Sequence, residues 1–228
     1  MNENILEFSK DIASIFKTGD SIFLSAPPKY GKSYFTEKVL TNKEKLFFNP
    51  SENILIIYKA WQPSYDRLKT IYKDNIVFKQ LLEIENRYFE TLENIIIVFD
   101  DLIQDISNEI CETVIVGSHH RNLTIFFLSQ SIYYNDKLKF LRKNCNQFIF
   151  LSPLEGSSIF RLLSNDLNSN QMQRLKNIFP KIMVPGKFCH ILYSRDVLCP
   201  PILRFKYDIF AQIDDENCIF EYRIAKIM

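Results

Sequence analysis

The segment Ala-Pro-Pro-Lys-Tyr-Gly-Lys-Ser, residues 26–33, decides how this sequence is interpreted. It follows the apolar run SIFLS (21–25), ends in Gly31, Lys32 and Ser33, and leads into a stretch with helical character. A buried strand, a loop ending in Gly-Lys-Ser and a helix together form the Walker A arrangement, which binds nucleotide phosphates. The sequence therefore predicts a phosphate-binding loop at this strand-to-helix connection.

The chemistry of such a loop assigns roles to its residues. Backbone N–H groups of the loop and of the helix N-terminus hold the phosphates. We expect Lys32 to neutralise charge on the β- and γ-phosphates and the Ser33 hydroxyl to coordinate Mg²⁺. The residues predicted to bind ATP are Pro27, Pro28, Lys29, Tyr30, Gly31, Lys32, Ser33 and Tyr34. Ala26 replaces the usual first glycine, which implies either a negative φ at Ala26 or a strained backbone.

A second apolar run, NIIIVF (94–99), ends in two adjacent carboxylates, Asp100 and Asp101. An apolar strand that ends in this way is typical of a Walker B element. We expect Asp100 to hold Mg²⁺ together with Ser33, and Asp101 to polarise the attacking water. The alternative is that the two acids form a solvated strand end or cap the next helix. Because the phosphate loop lies upstream in the same chain, we favour the catalytic interpretation.

The apolar run TIFFLS (124–129) ends at Gln130, whose amide both donates and accepts hydrogen bonds. Many P-loop ATPases place a γ-phosphate sensor at the end of a strand between the two Walker strands. The alternative is a polar residue that merely leaves a strand for a loop. With the Walker pair present, Gln130 joins Lys32, Asp100 and Asp101 as a predicted catalytic residue, and ATP and Mg²⁺ are the predicted cofactors.

The pattern of apolar runs predicts the fold class. Five runs read as buried strands: 21–25, 53–58, 94–99, 124–129 and 147–152. The helix-like segments are 32–40, 63–73, 104–116, 135–141, 156–163 and 168–178. Because continuous apolar strands belong to parallel sheets covered on both faces, we predict an α/β fold with a mainly parallel sheet between two helical layers.

Composition narrows the class of protein. The 228 residues are 46% hydrophobic and 24% charged, as in a soluble globular protein. No apolar stretch reaches the roughly 18 to 20 residues of a membrane helix, and the N-terminus does not resemble a signal peptide, so we expect an intracellular protein without a membrane partner. The net charge of +1 gives no sign of one large basic surface. Five scattered cysteines are expected to be reduced core thiols.

Several blocks occur in the same order and at similar spacing in a known family. The chain resembles the viral DNA-packaging ATPases of the FtsK–HerA superfamily, especially those of Maverick (Polinton) elements, their viral relatives and, more distantly, poxviruses. Besides the phosphate loop, the blocks that carry the resemblance are AWQPSY (60–65), VFDD (98–101), SHHRN (118–122), SQS (129–131), LRKN (141–144) and PPILRFKYDIF (200–210). The blocks span nearly the whole chain.

The resemblance implies a RecA-like ATPase core, predicted for residues 1–198, with a C-terminal extension (199–228) that packs on the core or on a neighbouring subunit. It also implies a homo-oligomeric ring, a hexamer or a pentamer, around double-stranded DNA. An arginine from the neighbouring subunit would complete each ATP site, with Arg142 as the first candidate and Arg121 as the second. Capsid or portal vertex proteins would be partners, in the nucleus or cytoplasm of an infected cell or at the virion vertex.

Two other functions fit the same residues. One is another ring ATPase that moves DNA, such as a helicase or a plasmid-type transporter. The other is a structural subunit that binds nucleotide without turnover, an idea motivated by Ala26 and by an aspartate at position 101. Lys137, Lys139 and Lys143 either contact DNA in the pore or form an ordinary solvated helix face. In the extension, 203–210 is a candidate edge strand, and 218–227 is either a strand or a short helix.

Overall fold

Strands and helices alternate along most of the chain. The computed structural model describes residues 16–133, 136–183, 190–195, 202–206 and 220–223. The strands are β1 (Phe16–Lys17), β2 (Ser21–Ser25), β3 (Phe47–Phe48), β4 (Asn53–Tyr58), β5 (Ile76–Gln80), β6 (Ile95–Asp100), β7 (Thr124–Ser129), β8 (Gln147–Phe150), β9 (His190–Ser194), β10 (Ile202–Lys206) and β11 (Phe220–Arg223). The α-helices are α1 (Lys32–Thr41), α2 (Lys43–Leu46), α3 (Pro63–Tyr72), α4 (Asn108–His120), α5 (Asp136–Asn144), α6 (Gly156–Leu163) and α7 (Ser169–Ile182). Within these described ranges, no helix has the length and apolarity needed to cross a membrane.

Nine of the described strands form one sheet, in the order β11-β10-β9-β8-β2-β7-β6-β4-β5. All neighbours from β8 to β5 are parallel. At the other side of the sheet, β9 pairs antiparallel with β8, β10 with β9, and β11 with β10. The predicted mainly parallel sheet is therefore confirmed, and an antiparallel extension widens it. The short strands β1 and β3 pair separately.

Helices cover both faces of this sheet. On one face, α1 and α3 contribute Phe35, Val39 and Leu68 to a core that includes Leu24 and Ile56. The opposite face is covered by α4, α5, α6 and α7, whose contributions to the core include Val114, Leu138, Leu162 and Leu175. Alternate residues of each central strand enter the two cores, which is why those strands are apolar throughout. The predicted α/β fold with three layers is confirmed.

Among the element boundaries that differ from the predictions, those of α4 and β8 have clear physical reasons. Helix α4 begins at Asn108 rather than at residue 104, because the Ser107 hydroxyl caps it by accepting a hydrogen bond from the Ile110 N–H at 3.1 Å. The preceding apolar residues Leu102, Ile103 and Ile106 are buried in the core as an irregular segment. Strand β8 ends at Phe150 because Pro153 begins a short 3₁₀ helix. Asn135, the predicted first residue of α5, lies outside the described residues.

The last part of the chain is described only in β10 and β11. Residues 203–206 of the candidate edge strand belong to β10, which pairs with β9 on one side and β11 on the other. Within the segment 218–227, residues 220–223 form the strand β11. The remaining residues of both segments lie outside the described part. The domain boundary at residue 198 stays a prediction.

The cysteines have no disulfide role where the structure describes them. Cys111 and Cys145 are free and buried in the core. Burial raises the pKa of the Cys111 thiol to about 11 and also raises the pKa of Cys145. Both thiols are therefore protonated and unreactive at neutral pH. Cys189, Cys199 and Cys218 lie outside the described residues.

Candidate active site

The predicted phosphate loop connects β2 to α1. Its positive φ angles fall at Lys29 (69°) and Gly31 (85°), and not at Ala26. Ala26 is fully buried, and its N–H donates to the Ser129 carbonyl oxygen at 3.1 Å. The backbone at position 26 is therefore one that an alanine adopts without strain. Of the two explanations for the missing glycine, the structure supports a negative φ.

Helix α1 begins directly after Gly31, so the backbone N–H groups of its first turn lie at the end of the loop. No side chain caps the helix, and the carbonyl oxygen of Gly31 accepts its first backbone bond, from Phe35, at 2.8 Å. The first turn contains no acidic residue. The leading N–H groups of a helix have no partner within the helix and attract anions, so this terminus suits a phosphate. Ser33 is half-buried in that first turn, and Tyr34 is exposed.

Lys32 is buried with only 7% of its surface exposed. Its Nζ donates to the Ala26 carbonyl oxygen at 2.9 Å and lies 3.5 Å from Asp101 Oδ1. A buried ammonium group needs such partners because its desolvation is costly. The contact with Asp101 brings the phosphate loop against the end of β6, as the two motifs predict.

Asp101 follows β6 with a left-handed backbone, at φ 55°. This conformation turns the chain out of the strand. One carboxylate oxygen of Asp101 faces Lys32, and the other accepts a hydrogen bond from Gln130 Nε2 at 3.2 Å. Strand β7 lies between β2 and β6, so the residues at the carboxyl ends of these three parallel strands meet at one edge. Lys32, Asp101 and Gln130 therefore form one cluster.

Asp100 is buried at the last position of β6, and its two oxygens have different surroundings. Oδ2 accepts hydrogen bonds from Gln62 Nε2 at 2.8 Å and from the Tyr65 hydroxyl. Oδ1 is buried and has no hydrogen-bond partner among the described residues. Burial raises the pKa of Asp100, while the bond from Tyr65 and the charge of Lys32 lower it. The carboxylate is thus restrained through one oxygen, and the other is available.

The residues around Asp100 fit a magnesium ion. A buried carboxylate oxygen without a partner is a favourable ligand for a hard cation, which would also offset the cost of burying the charge. No group of three or more His, Cys, Asp or Glu side chains suited to a metal occurs in the described part of the chain. Mg²⁺ does not require one, since it is commonly held by one or two carboxylates, waters and substrate phosphates. Asp100 and Ser33 remain the predicted protein ligands.

A cavity of about 620 Å³ opens beside this cluster. Lys59, Gln62, Asp100, Asp101 and Gln130 line it together with residues of the β6–α4 and β7–α5 connections. The cavity lies at the carboxyl edge of the parallel strands, where open α/β sheets bind their ligands. The predicted catalytic acids and the predicted sensor amide therefore share an accessible space.

Three residues at the site were not predicted to act there. Gln62 and Tyr65 belong to the block 60–65, but no sequence pattern indicates that both donate hydrogen bonds to Asp100, more than thirty residues away. Glu155 follows β8, and its Oε1 accepts a hydrogen bond from Ser25 Oγ at 2.9 Å. Burial raises the pKa of Glu155 to about 7, although the Ser25 hydroxyl and the charge of Lys32 lower it. A glutamate after a strand carries no motif that would have identified it.

The two candidate trans arginines lie outside the cluster. Arg121 follows α4, next to Asn94 at the amino end of β6, which is the edge of the sheet opposite to the site. Its guanidinium donates to the carbonyl oxygens of Phe89, Leu92 and Thr113. Arg142 lies on α5, donates to the Ile132 carbonyl oxygen at 2.5 Å and stacks on the Tyr133 ring. These contacts stabilise the chain itself, and a role in trans stays a prediction for both.

Known proteins with a similar fold were found by structure. The genome packaging NTPase B204 from Sulfolobus turreted icosahedral virus 2, in complex with ATP-gammaS, has a TM-score of 0.54 and 13% identity over 82% of this chain and 97% of its own. The same NTPase in complex with AMPPCP has a TM-score of 0.53 and 14% identity over the same shares. The pCW3 conjugation coupling protein TcpA, in monomer form with ATPgS, has a TM-score of 0.51 and 10% identity over 78% of this chain and 58% of its own.

By sequence, no family model matches the chain, and no curated protein is significantly similar to it. The comparison therefore rests on structural similarity alone. At these sequence identities, structural similarity shows a shared fold. The RecA-like fold implied by the sequence blocks is also the fold of B204. The chain has the three-layer α/β fold of a RecA-like P-loop NTPase, the fold of the viral genome packaging NTPase B204.

Proposed function

We propose that the protein is an ATPase that moves double-stranded DNA and packages a viral or virus-like genome into its capsid. The observation that carries the ATPase part is the cluster of Lys32, Asp101 and Gln130. The lysine of the phosphate loop lies 3.5 Å from the carboxylate at the end of β6, and the sensor amide lies 3.2 Å from the other oxygen of that carboxylate. A phosphate-binding loop, an acid and an amide meet where three parallel strands end.

The roles follow from charge and position. The backbone donors at the start of α1 and the ammonium group of Lys32 bind and neutralise the phosphates. Asp101 orients and polarises the attacking water, and Gln130 contacts the γ-phosphate or that water. Asp100 and Ser33 hold Mg²⁺, which supplies positive charge to the transferring phosphoryl group when it is bound. Phosphoryl transfer needs mainly such positioning and charge stabilisation, and these residues are the contribution of one subunit to it.

The packaging part of the proposal is supported by two independent resemblances. The sequence blocks are similar to those of viral DNA-packaging ATPases, and the fold is similar to that of a genome packaging NTPase. We therefore propose a homo-oligomeric ring, a hexamer or a pentamer, with duplex DNA in the pore and capsid or portal proteins as partners. Its place would be the infected cell, in the nucleus or cytoplasm, or the virion vertex.

In such a ring the neighbouring subunit supplies an arginine to each ATP site. Arg142 remains the first candidate, because its guanidinium contacts Ile132 and Tyr133 in the connection that follows β7. Arg121 lies at the opposite edge and is tied to three backbone carbonyl groups, which favours a structural role for it. Arg142→Ala should remove turnover while nucleotide binding persists; unchanged turnover in this variant would exclude Arg142 as the finger.

Steady-state ATP hydrolysis by the purified protein tests the proposal. We expect turnover that requires Mg²⁺, rises with duplex DNA and disappears in Lys32→Ala. The matched control is Lys38→Ala, which removes a lysine from the same helix outside the cluster and should keep wild-type turnover. Wild-type protein that binds ATP but hydrolyses none, with or without DNA, would instead support the structural-subunit alternative.

The choice of DNA separates the enzymatic alternatives. A packaging motor should be stimulated by duplex DNA and should leave the strands paired, whereas a helicase should separate them. Lys139 and Lys143 are exposed on α5, and Lys137 donates to the carbonyl oxygens of Gln104 and Ile106. We therefore assign any DNA contact on this helix to Lys139 and Lys143. Replacing both by glutamine should reduce stimulation by DNA, and full stimulation of that variant would exclude the contact.

A further inference from the structure

The connection between β4 and α3 reaches into the site, although neither sequence motif assigns it a role there. Gln62 precedes the first residue of α3, and Pro63 occupies the start of that helix. The Tyr65 N–H donates to the Gln62 carbonyl oxygen at 2.9 Å, so the two residues belong to one helical turn. Both side chains donate to the same oxygen of Asp100.

We propose that Gln62 and Tyr65 are positioning residues for Asp100, which fix its Oδ2 and thereby direct Oδ1 toward the magnesium ion of the ATP site. The proposal rests on the ATPase function argued above. The proposal adds that residues from two places build the metal site: the end of strand β6 and the connection between β4 and α3. Neither Gln62 nor Tyr65 need contact the metal or the nucleotide.

The Tyr65 side chain is held firmly enough for this role. It is 3% exposed, and its ring packs against Tyr58, Trp61 and Phe78, with centroid separations between 5.3 and 5.6 Å. A close-packed ring has little rotational freedom, so its hydroxyl stays at one position. That hydroxyl donates to Asp100 Oδ2.

The two donors have a clear physical effect on the carboxylate. Two bonds to Oδ2 restrain rotation of the carboxyl group and reduce the negative charge on that oxygen. The lone pairs of Oδ1 then form the better ligand in a fixed direction. Residues that orient metal ligands in this way typically change metal affinity by about 10- to 100-fold when they are replaced.

A second tyrosine offers a matched control. Tyr72 also lies on α3, and its hydroxyl donates to the Leu40 carbonyl oxygen, far along the helix from Asp100. Tyr72→Phe removes a hydroxyl bond from the same helix without touching the metal site. Tyr65→Phe removes only the hydroxyl that reaches Asp100 and leaves the aromatic packing in place. Gln62→Ala removes the second donor at a half-buried position and so tests the proposal without altering the core.

The experiment measures binding of a fluorescent ATP analogue to the full chain in EDTA and at increasing Mg²⁺ concentrations. In EDTA we expect all variants to bind like the wild type. The Mg²⁺ concentration for half-maximal enhancement of binding should rise about 10-fold in Tyr65→Phe and in Gln62→Ala, and should not change in Tyr72→Phe. Turnover should recover partly in both site variants when Mg²⁺ is raised, and thermal melts should show that each variant is folded.

The outcomes separate this inference from the proposed function. A wild-type Mg²⁺ requirement in both folded site variants would overturn the inference and leave the ATPase proposal intact. A wild type that binds Mg²⁺-nucleotide without hydrolysing it, together with the shifted requirement in the variants, would support the inference and contradict turnover. Absence of any nucleotide binding by the wild type would overturn both.

Discussion

Two buried aspartates stand at opposite edges of the central sheet and have very different surroundings. Asp20, just before β2, is 3% exposed and accepts hydrogen bonds from the Lys17 N–H, Asn146 Nδ2 and Gln147 Nε2, which engage both of its oxygens. Asp100, at the end of β6, is 4% exposed but is bonded through Oδ2 only. The two side chains are similarly buried. Both oxygens of Asp20 are hydrogen-bonded, whereas only one oxygen of Asp100 is.

The difference separates structural from chemical roles of the same residue type. A carboxylate whose oxygens are both hydrogen-bonded joins segments that are distant in sequence, here β2 and the residues before β8. A carboxylate with a free buried oxygen lowers stability unless a ligand occupies that oxygen. The amino edge of this sheet therefore contributes stability, and the carboxyl edge holds groups arranged for a ligand.

The largest effect is expected at Asp100. Asp100→Asn removes the charge that Mg²⁺ needs, so turnover should fall on the order of 100-fold or more. Stability should not fall, since burial raises the pKa of Asp100 and the neutral amide avoids the cost of a buried charge. Steady-state hydrolysis and urea unfolding on the same sample measure both effects. A variant that loses stability but keeps turnover would remove Asp100 from the chemistry.

The corresponding substitution at the amino edge of the sheet is Asp20→Asn. An amide cannot accept from all three donors of Asp20, so the free energy of unfolding should fall by about 2 kcal/mol. Turnover by the folded fraction should be that of the wild type, because Asp20 lies at the edge opposite to the cluster. Chemical unfolding followed by hydrolysis well below the melting temperature would show this. Loss of turnover in stably folded Asp20→Asn protein would contradict the division between the edges.

Arg121 sharpens the comparison, because the resemblance predicts catalysis for it while its position at the amino edge indicates structure. Arg121→Ala removes donors from three backbone carbonyl groups, so we expect a loss of about 1 to 2 kcal/mol in unfolding free energy and unchanged kcat. Arg142→Ala, assayed in parallel, should lose kcat while nucleotide binding persists. Loss of kcat in Arg121→Ala without a stability change would make Arg121 the finger and our assignment wrong.

The smallest effect concerns pH and Glu155. Its pKa rises from 4.5 to about 7 on folding, so the folded chain binds this proton more tightly than the unfolded chain does. The resulting stabilisation is present below pH 4.5 and is lost as pH rises to about 7. Glu155→Gln mimics the protonated form and should gain stability relative to the wild type between pH 5 and pH 8, on the order of 1 kcal/mol given partial exposure.

The control for this measurement is Glu52→Gln, which replaces an exposed glutamate just before β4. The difference in unfolding free energy between Glu52→Gln and the wild type should be the same at pH 5 and at pH 8. If Glu155→Gln behaves like Glu52→Gln, the burial of Glu155 has no energetic consequence, and the carboxylate is better solvated than its position after β8 indicates.

Local sequence patterns predicted the central strands and most helices because those elements are buried and regular. Strand β5 was not predicted, since only Ile76 of its residues is buried at this edge of the sheet and the pattern IVFKQ lacks a continuous apolar run. The start of α4 depended on one cap residue, Ser107, in a segment rich in apolar residues. The edge strand β5 depends on tertiary contacts that no local pattern encodes, whereas the cap at Ser107 is a local signal that the apolar residues before it obscured.

The site shows the same limit more sharply. Local motifs predicted Lys32, Asp100, Asp101 and Gln130. The structure places these residues at one edge of the sheet, since the strand order brings the ends of β2, β6 and β7 together. The roles of those residues remain proposals. The hydrogen bonds of Gln62 and Tyr65 to Asp100 depend on how the β4–α3 turn folds over the sheet, so the sequence alone could not indicate them.

The left-handed backbone of Asp101 bears on which acid this position can accept. Short polar side chains such as aspartate tolerate a φ of 55° better than longer ones do. A glutamate in the same turn would add a methylene group that has to fit between Lys32 and Gln130, and it would hold the strained conformation at greater cost. A change from aspartate to glutamate at position 101 would therefore have both a backbone cost and a packing cost. The shape of the turn after β6 thus favours the shorter acid at this position.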